Sequence, residues 1–185
     1  MNDNSIFRLK VQYKAENKET GEVEKIKLEI LTQCVNYTDA EAVMNKVIEQ
    51  YQMNKFEPCV YDIVKTKFEA NDIYGCESMS ADDNTNLTCG LLQHFFENES
   101  DGLYAVENIV FGNKEDKEKD LKRTFFIPAK DTADATSAAI AILQYEGRDM
   151  NDCLISSVKL DHAEYVYLRP KTSESIYKLA KNIFE

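Results

Sequence analysis

Two stretches of this sequence, 95 positions apart, carry the same run of small, acidic and apolar residues. The first is Thr38-Asp39-Ala40-Glu41-Ala42, followed by Val43, Met44, Val47 and Ile48. The second is Ala133-Asp134-Ala135-Thr136-Ser137, followed by Ala138, Ala139, Ile142 and Leu143. Five core-type positions (40, 43, 44, 47, 48) coincide with five others (135, 138, 139, 142, 143). Both have helical spacing, with two strand-like runs before them and another after. A repeat at fixed offset reads as a duplicated supersecondary unit. It predicts an α+β fold: two tandem copies of a β-β-α-β module, each an antiparallel sheet with one helix packed on it.

The expected organisation is a first module at 1–75, a connector at 76–102, a second module at 103–169 and a C-terminal helix at 170–185. In the first module Phe7, Leu9, Val11 and Tyr13 alternate with Arg8, Lys10 and Gln12, the period of a half-buried strand. A polar turn at residues 17–21 leads to a second strand, with Ile26, Leu28 and Ile30 opposite Val23, Lys25 and Lys27. Thr38 with Glu41 reads as a capping box that starts a helix at Asp39. A third strand follows Pro58, over residues 60–68. The second module predicts strands at 103–111 and 123–127, a helix around 134–145 with Asp131 as its N-cap and Glu146-Gly147 as its stop, and one more strand at 156–168. Beyond Pro170, Ser173 caps a terminal helix striped with Ile176, Leu179, Ala180, Ile183 and Phe184. That helix either closes the core or docks on another subunit, which makes it the expected route to a homo-oligomer.

The net charge is −11 over 185 residues, and its distribution matters more than its sum. Residues 6–75 hold 10 basic and 12 acidic side chains, and residues 103–169 hold 9 and 12. The connector holds six acids (Glu77, Asp82, Asp83, Glu97, Glu99, Asp101) and no base, so more than half of the net charge lies there. An acidic total argues against passive duplex binding, which neutralises phosphates, but leaves room for a local basic face. No apolar run reaches the ~18–20 residues of a membrane span, and the first residues lack the basic and apolar regions of a signal peptide. The expected location is the cytoplasm of a bacterial host, with no membrane partner. The cysteines are five and scattered (Cys34, Cys59, Cys76, Cys89, Cys153), most simply small buried hydrophobes. Cys76, Cys89 and His94 could supply three zinc ligands, yet structural zinc takes four with close pairs, and no close pair exists. No metal site and no cofactor is expected.

Catalysis has no motif to rest on. There is no nucleophile elbow and no phosphate-cradling glycine loop, and neither histidine sits in a general-base motif. The stronger candidate is a surface. If Leu9, Val11, Ile26, Leu28 and Val64 face the helix, the other face of the first sheet collects Arg8, Lys10, Lys25, Lys27, Lys65 and Lys67, with Tyr61 on the Lys65 side of its strand. Lysines following phosphates, beside a ring that stacks on bases, would hold a single strand of DNA or RNA. The alternative is a solvated antiparallel face, where lysine is common and discourages edge pairing; Glu24, Glu29 and Glu69 nearby dilute the field.

The strand Phe7-Arg8-Leu9-Lys10-Val11, the lysine-bearing turn, the run Tyr37-Thr38-Asp39-Ala40-Glu41-Ala42 and the strand Asp62-Ile63-Val64-Lys65 together resemble a family of small proteins of Bacteroidetes and their phages, crAss-like phages included. The similarity covers most of residues 6–168. It implies two copies of one module and a phage or mobile-element setting; the family has no settled function and transfers no catalytic residue. A more distant likeness, at the level of fold, is to single-strand binders of the PC4 and Whirly type. These readings converge on a non-enzymatic binding protein, a single-stranded nucleic-acid-binding accessory of phage replication or transcription. The alternatives are an acidic inhibitor or decoy that meets a basic host protein through the connector, and a virion or assembly component built through the terminal helix.

Overall fold

The structure, a computed structural model, describes residues 5–74, 102–113 and 117–168. The connector (Gly102 aside), the helix expected at 170–185, and Cys76, Cys89 and His94 lie outside the described residues. The element order is β1 (Ser5–Glu16), β2 (Val23–Gln33), α1 (Tyr37–Gln50), β3 (Val60–Glu69), β4 (Gly102–Val110), β5 (Leu121–Ala129), α2 (Thr132–Tyr145), β6 (Cys153–Leu160) and β7 (Tyr165–Tyr167). This is an α+β fold with two sheets, ordered β3-β1-β2-β7 and β5-β4-β6. The chain divides into two compact units. Among the described residues, the first holds 5–70 and 163–168, and the second holds 71–74, 102–113 and 117–162.

In the first unit β1 and β2 form an antiparallel hairpin with Leu9 opposite Ile30 and Val11 opposite Leu28. Its turn is built by the Asn17 carboxamide oxygen, which accepts from the Glu19 and Thr20 amides at 2.9 and 3.3 Å. Gly21 supplies the left-handed residue at φ 72°. On one face Phe7, Leu9, Val11, Leu28 and Ile30 pack against Ala40, Val43, Met44, Val47 and Ile48 of α1. Each large apolar side chain buried in this way stabilises the fold by ~1.5–3 kcal/mol. The N-cap of α1 is Asn36, not the Thr38 that the sequence suggested. The Asn36 side chain accepts from the Asp39 amide at 2.9 Å, and Asp39 accepts in turn from the Val35 amide at 3.0 Å. Helix α2 has the corresponding pair: Asp131 accepts from the Asp134 amide at 2.8 Å, and Asp134 from the Lys130 amide at 3.2 Å.

Both helices also end alike, with one difference. At the end of α2 the Gly147 amide donates to Gln144 and the Arg148 amide to Leu143, with Gly147 at φ 76°. At the end of α1 the Gln52 amide donates to Glu49 and the Met53 amide to Ile48, with Gln52 at φ 49°. The position that wants glycine for its left-handed backbone is therefore filled by a glutamine in α1.

The strand expected at 156–168 is two strands. β6 stays in the second sheet beside β4. The chain then turns at Asp161, whose amide donates to the Leu103 carbonyl at 2.7 Å. β7 pairs in parallel with β2 of the first unit, Ile30 with Tyr165, Leu31 with Val166 and Thr32 with Tyr167. Tyr167 enters the first core. The second unit is closed in the same sense: Ile73 bridges Phe126 in parallel, the Tyr74 amide donates to the Phe126 carbonyl at 2.9 Å, and Tyr74 enters the second core.

Tyr74 is held by a polar cluster. The Arg123 guanidinium donates to Asp72 at 2.9 Å, to both Glu146 oxygens at 2.9 and 3.1 Å, and to the Tyr74 hydroxyl oxygen at 3.1 Å. Arg123 also stacks on the Phe125 ring, 4.6 Å from its centroid. Burial pulls the guanidinium pKa down, but the bonds to Asp72, Tyr74 and Glu146 outweigh it and hold the pKa above its usual value. Burial pushes the Tyr74 phenol up to about 12 despite the neighbouring Arg123.

Three outcomes follow for stability. Gln52→Gly should raise the urea midpoint, because relieving left-handed strain stabilises the fold by ~1 kcal/mol. Tyr167→Ala should cost ~3 kcal/mol in the same titration, as for other large aromatic truncations in a core. Tyr74 is neutral in the fold up to a higher pH than in the unfolded chain, so its contribution is complete below pH 10 and is lost as pH rises from about 10 to about 12. Tyr74→Phe should flatten that alkaline loss of stability, and an unchanged pH profile would contradict the assignment.

Candidate nucleic-acid interface

The face of the first sheet away from α1 carries Arg8, Lys10, Gln12 and Lys14 from β1, and Lys25, Lys27 and Glu29 from β2. The hairpin register sets Lys10 opposite Glu29, Gln12 opposite Lys27 and Lys14 opposite Lys25. Lys27 thus sits diagonally between Lys10 and Lys14. Further along, Leu31 and Val166 are buried and make the other end of this face apolar. The basic part is a strip at the hairpin end.

Not every cation on this face is available to a ligand. Arg8 pairs with Glu29 at 2.9 Å and its side chain is only 15% exposed. Lys10 shares the same carboxylate at 3.9 Å, and Lys14 pairs with Glu57 at 2.9 Å. Lys25 and Lys27 are exposed and make no ion pair among the described residues. A shallow depression of about 280 Å³ crosses the strip, lined by Lys10, Gln12, Lys27, Glu29 and Asp62, with Tyr61 at its β3 wall.

The expected contribution of the third strand to this face is corrected by its register. In β3, Ile63 lies opposite Leu9, Tyr61 opposite Val11, and Lys65 opposite Phe7. Directly opposed residues share a face, so Tyr61 and Lys65 lie on the helix side, while Val64, opposite Arg8, lies on the outer face with Asp62 and Val60. Lys67 falls where the register jumps from Phe7–Lys65 to Ser5–Glu69. There the Thr66 hydroxyl donates to the Ile6 carbonyl at 2.6 Å and accepts from the Phe68 amide at 3.2 Å. Of the seven residues singled out in the sequence, Arg8, Lys10, Lys25 and Lys27 share one face; Tyr61 and Lys65 do not join them.

The aromatic rings missing from the strip lie on the other side of the same hairpin. An open cavity of about 490 Å³, wide to solvent, lies between the hairpin end and the exit from α1, with Tyr13, Lys14, Lys18, Tyr51, Lys55 and Phe56 in its wall. Tyr51 and Phe56 are 39% and 42% exposed, and the Lys55 ammonium lies 5.1 Å from the Phe56 ring centroid. Burial, then Tyr165 and Glu164, push the Tyr13 phenol up, which keeps its hydroxyl a donor. The only hint in the sequence was the Tyr51-x3-Lys55-Phe56 cluster just past the helix.

Elsewhere the chemistry is sparse. Among the described residues no group of His, Cys, Asp and Glu could hold a metal ion, and no helix is long and apolar enough to cross a membrane. Cys34 is buried, and burial pushes the Cys59 and Cys153 thiols up, away from thiolate chemistry at neutral pH.

No curated protein and no solved structure matches this chain. One family model does, described as Domain of unknown function (DUF4494), and it matches residues 5–169. The match runs through both sheets and both helices, and the chain belongs to the DUF4494 family.

Proposed function

We propose that this chain is a binding protein, not an enzyme, and that its first unit holds single-stranded DNA or RNA along the lysine strip at the hairpin end. The observation that carries this reading is the direct opposition of Lys14 and Lys25, with Lys27 diagonal to Lys14 and Lys10. Like charges set opposite one another across a strand pair repel, and an anion laid over them removes that cost. Glu29 and Glu57 relieve Lys10 and Lys14 in part, which leaves Lys25 and Lys27 as the main phosphate contacts. Arg8 positions Glu29 and is not itself a contact. Tyr61 and Lys65, opposite Val11 and Phe7, and Lys67 at the register jump stand outside the strip.

The same order of strands and helix in both units, the paired caps 95 positions apart and the matched helix ends support descent from one duplicated module. The outer face of the second sheet carries Glu107 beside Lys122 and Lys159, so the basic strip belongs to one unit only. The resemblance to proteins of Bacteroidetes phages supports a role as a replication or transcription accessory in a bacterial cytoplasm. The likeness to single-strand binders rests on fold alone. The inhibitor and assembly readings depend on residues 76–102 and 170–185, and no described residue favours them.

Anisotropy of labelled single-stranded and duplex oligonucleotides over a salt series tests the proposal. Single strands should bind more tightly than duplex. Replacing Lys10, Lys25 and Lys27 with serine should weaken binding and reduce the slope of log affinity against log salt by about 2, at ~0.7 per phosphate contact. An unchanged slope in the triple variant would overturn the reading.

A further inference from the structure

We infer that the cavity between the hairpin end and the α1 exit is a second binding site, for one nucleoside monophosphate. It rests on residues other than the strip lysines Lys10, Lys25 and Lys27, and stands or falls separately from that reading. Its volume of about 490 Å³ suits a ligand of that size. Three rings line it (Tyr13, Tyr51 and Phe56), and a flat aromatic ligand gains most from such walls. The charged side chains in the wall are Lys14, Lys18 and Lys55 against Glu16 alone. Lys14 is engaged by Glu57, so Lys18 and Lys55 are the cations left for a phosphate.

The walls are positioned by backbone that has little freedom. Lys18 sits inside the turn closed by the Asn17 carboxamide and Gly21. Lys55 is tied back through its amide to the Gln52 carbonyl at 2.9 Å, and its ammonium lies over Phe56. Gln52 also lines the cavity, at the strained position where α2 has Gly147. A glutamine there adds a carboxamide that can donate to and accept from the edge of a base. Non-glycine residues in the left-handed region concentrate at ligand clamps, and here the strained residue lines a cavity that combines three rings with ammonium groups. A phosphate on Lys18 and Lys55 with a base against Phe56 or Tyr51 uses each of these features.

Titration of the full chain with adenosine monophosphate, adenosine and inorganic phosphate at low salt tests the inference. Adenosine monophosphate should bind more tightly than either part alone. The exposed pair Lys18→Ser with Lys55→Ser should weaken it relative to the wild-type chain while adenosine is little affected. Phe56→Ser should weaken both nucleoside and nucleotide by about tenfold, the contribution of one stacked base. The serine triple at Lys10, Lys25 and Lys27 should bind the nucleotide as the wild-type chain does. Adenosine monophosphate binding no tighter than phosphate, or equally tight in the Lys18 and Lys55 variant, overturns the site. Nucleotide binding that persists while oligonucleotides fail removes the strip reading alone, and the reverse removes only the cavity.

Discussion

Each unit of this protein finishes its core with a tyrosine delivered by a short segment that runs parallel to its second strand. Tyr167 serves the first core from β7, and Tyr74 serves the second from residues 71–74. Both segments follow the third strand of the opposite half of the sequence. The hydrogen bonds they make at Leu31 and Phe126 satisfy backbone groups that would otherwise lie at an open sheet edge. The second closure is reinforced by Arg123, which joins Asp72, Tyr74 and Glu146 in one cluster. Parallel pairing cannot be made by a hairpin. The sequence between the partners therefore has to travel, and neither half of the chain supplies all of its own core.

This closure also polarises the first sheet. The outer face is apolar near β7, where Leu31 and Val166 lie, and charged at the hairpin end, where four lysines crowd together. Rings and charge separate only in part across the hairpin, with Lys10, Lys25 and Lys27 on the outer face, Lys18, Lys55 and the rings around the cavity, and Lys14 reaching both. The proposed phosphate strip and the proposed nucleotide site therefore lie on either side of one turn.

Much of this architecture was legible because it is local. Period-two alternation in β1 and β2, helical stripes in α1 and α2, and the Asp131 cap are all written in consecutive residues. Asn36 was not legible as the cap of α1, because Thr38 with Glu41 matched a capping template equally well. The face of β3 was lost for a different reason: Val60-Tyr61 and Ile63-Val64 are adjacent apolar pairs, so alternation does not choose a side. Only the pairing of Ile63 with Leu9 chooses it, and that contact is not local. β7 was merged with β6 because its apolar run continues the one before, and its partner lies more than 130 positions away. The cavity left only the Tyr51-x3-Lys55-Phe56 cluster as a trace, since its two walls, near 13–21 and 51–56, meet only once the helix exit is folded against the hairpin.

The most direct test of this account is the urea unfolding of residues 1–75 alone, followed by circular dichroism. That fragment carries β1, β2, α1 and β3 but lacks Tyr165, Val166 and Tyr167. No cooperative transition is expected, with β2 left unpaired along the edge that β7 covers. A cooperative transition with a midpoint near that of the full chain would contradict it.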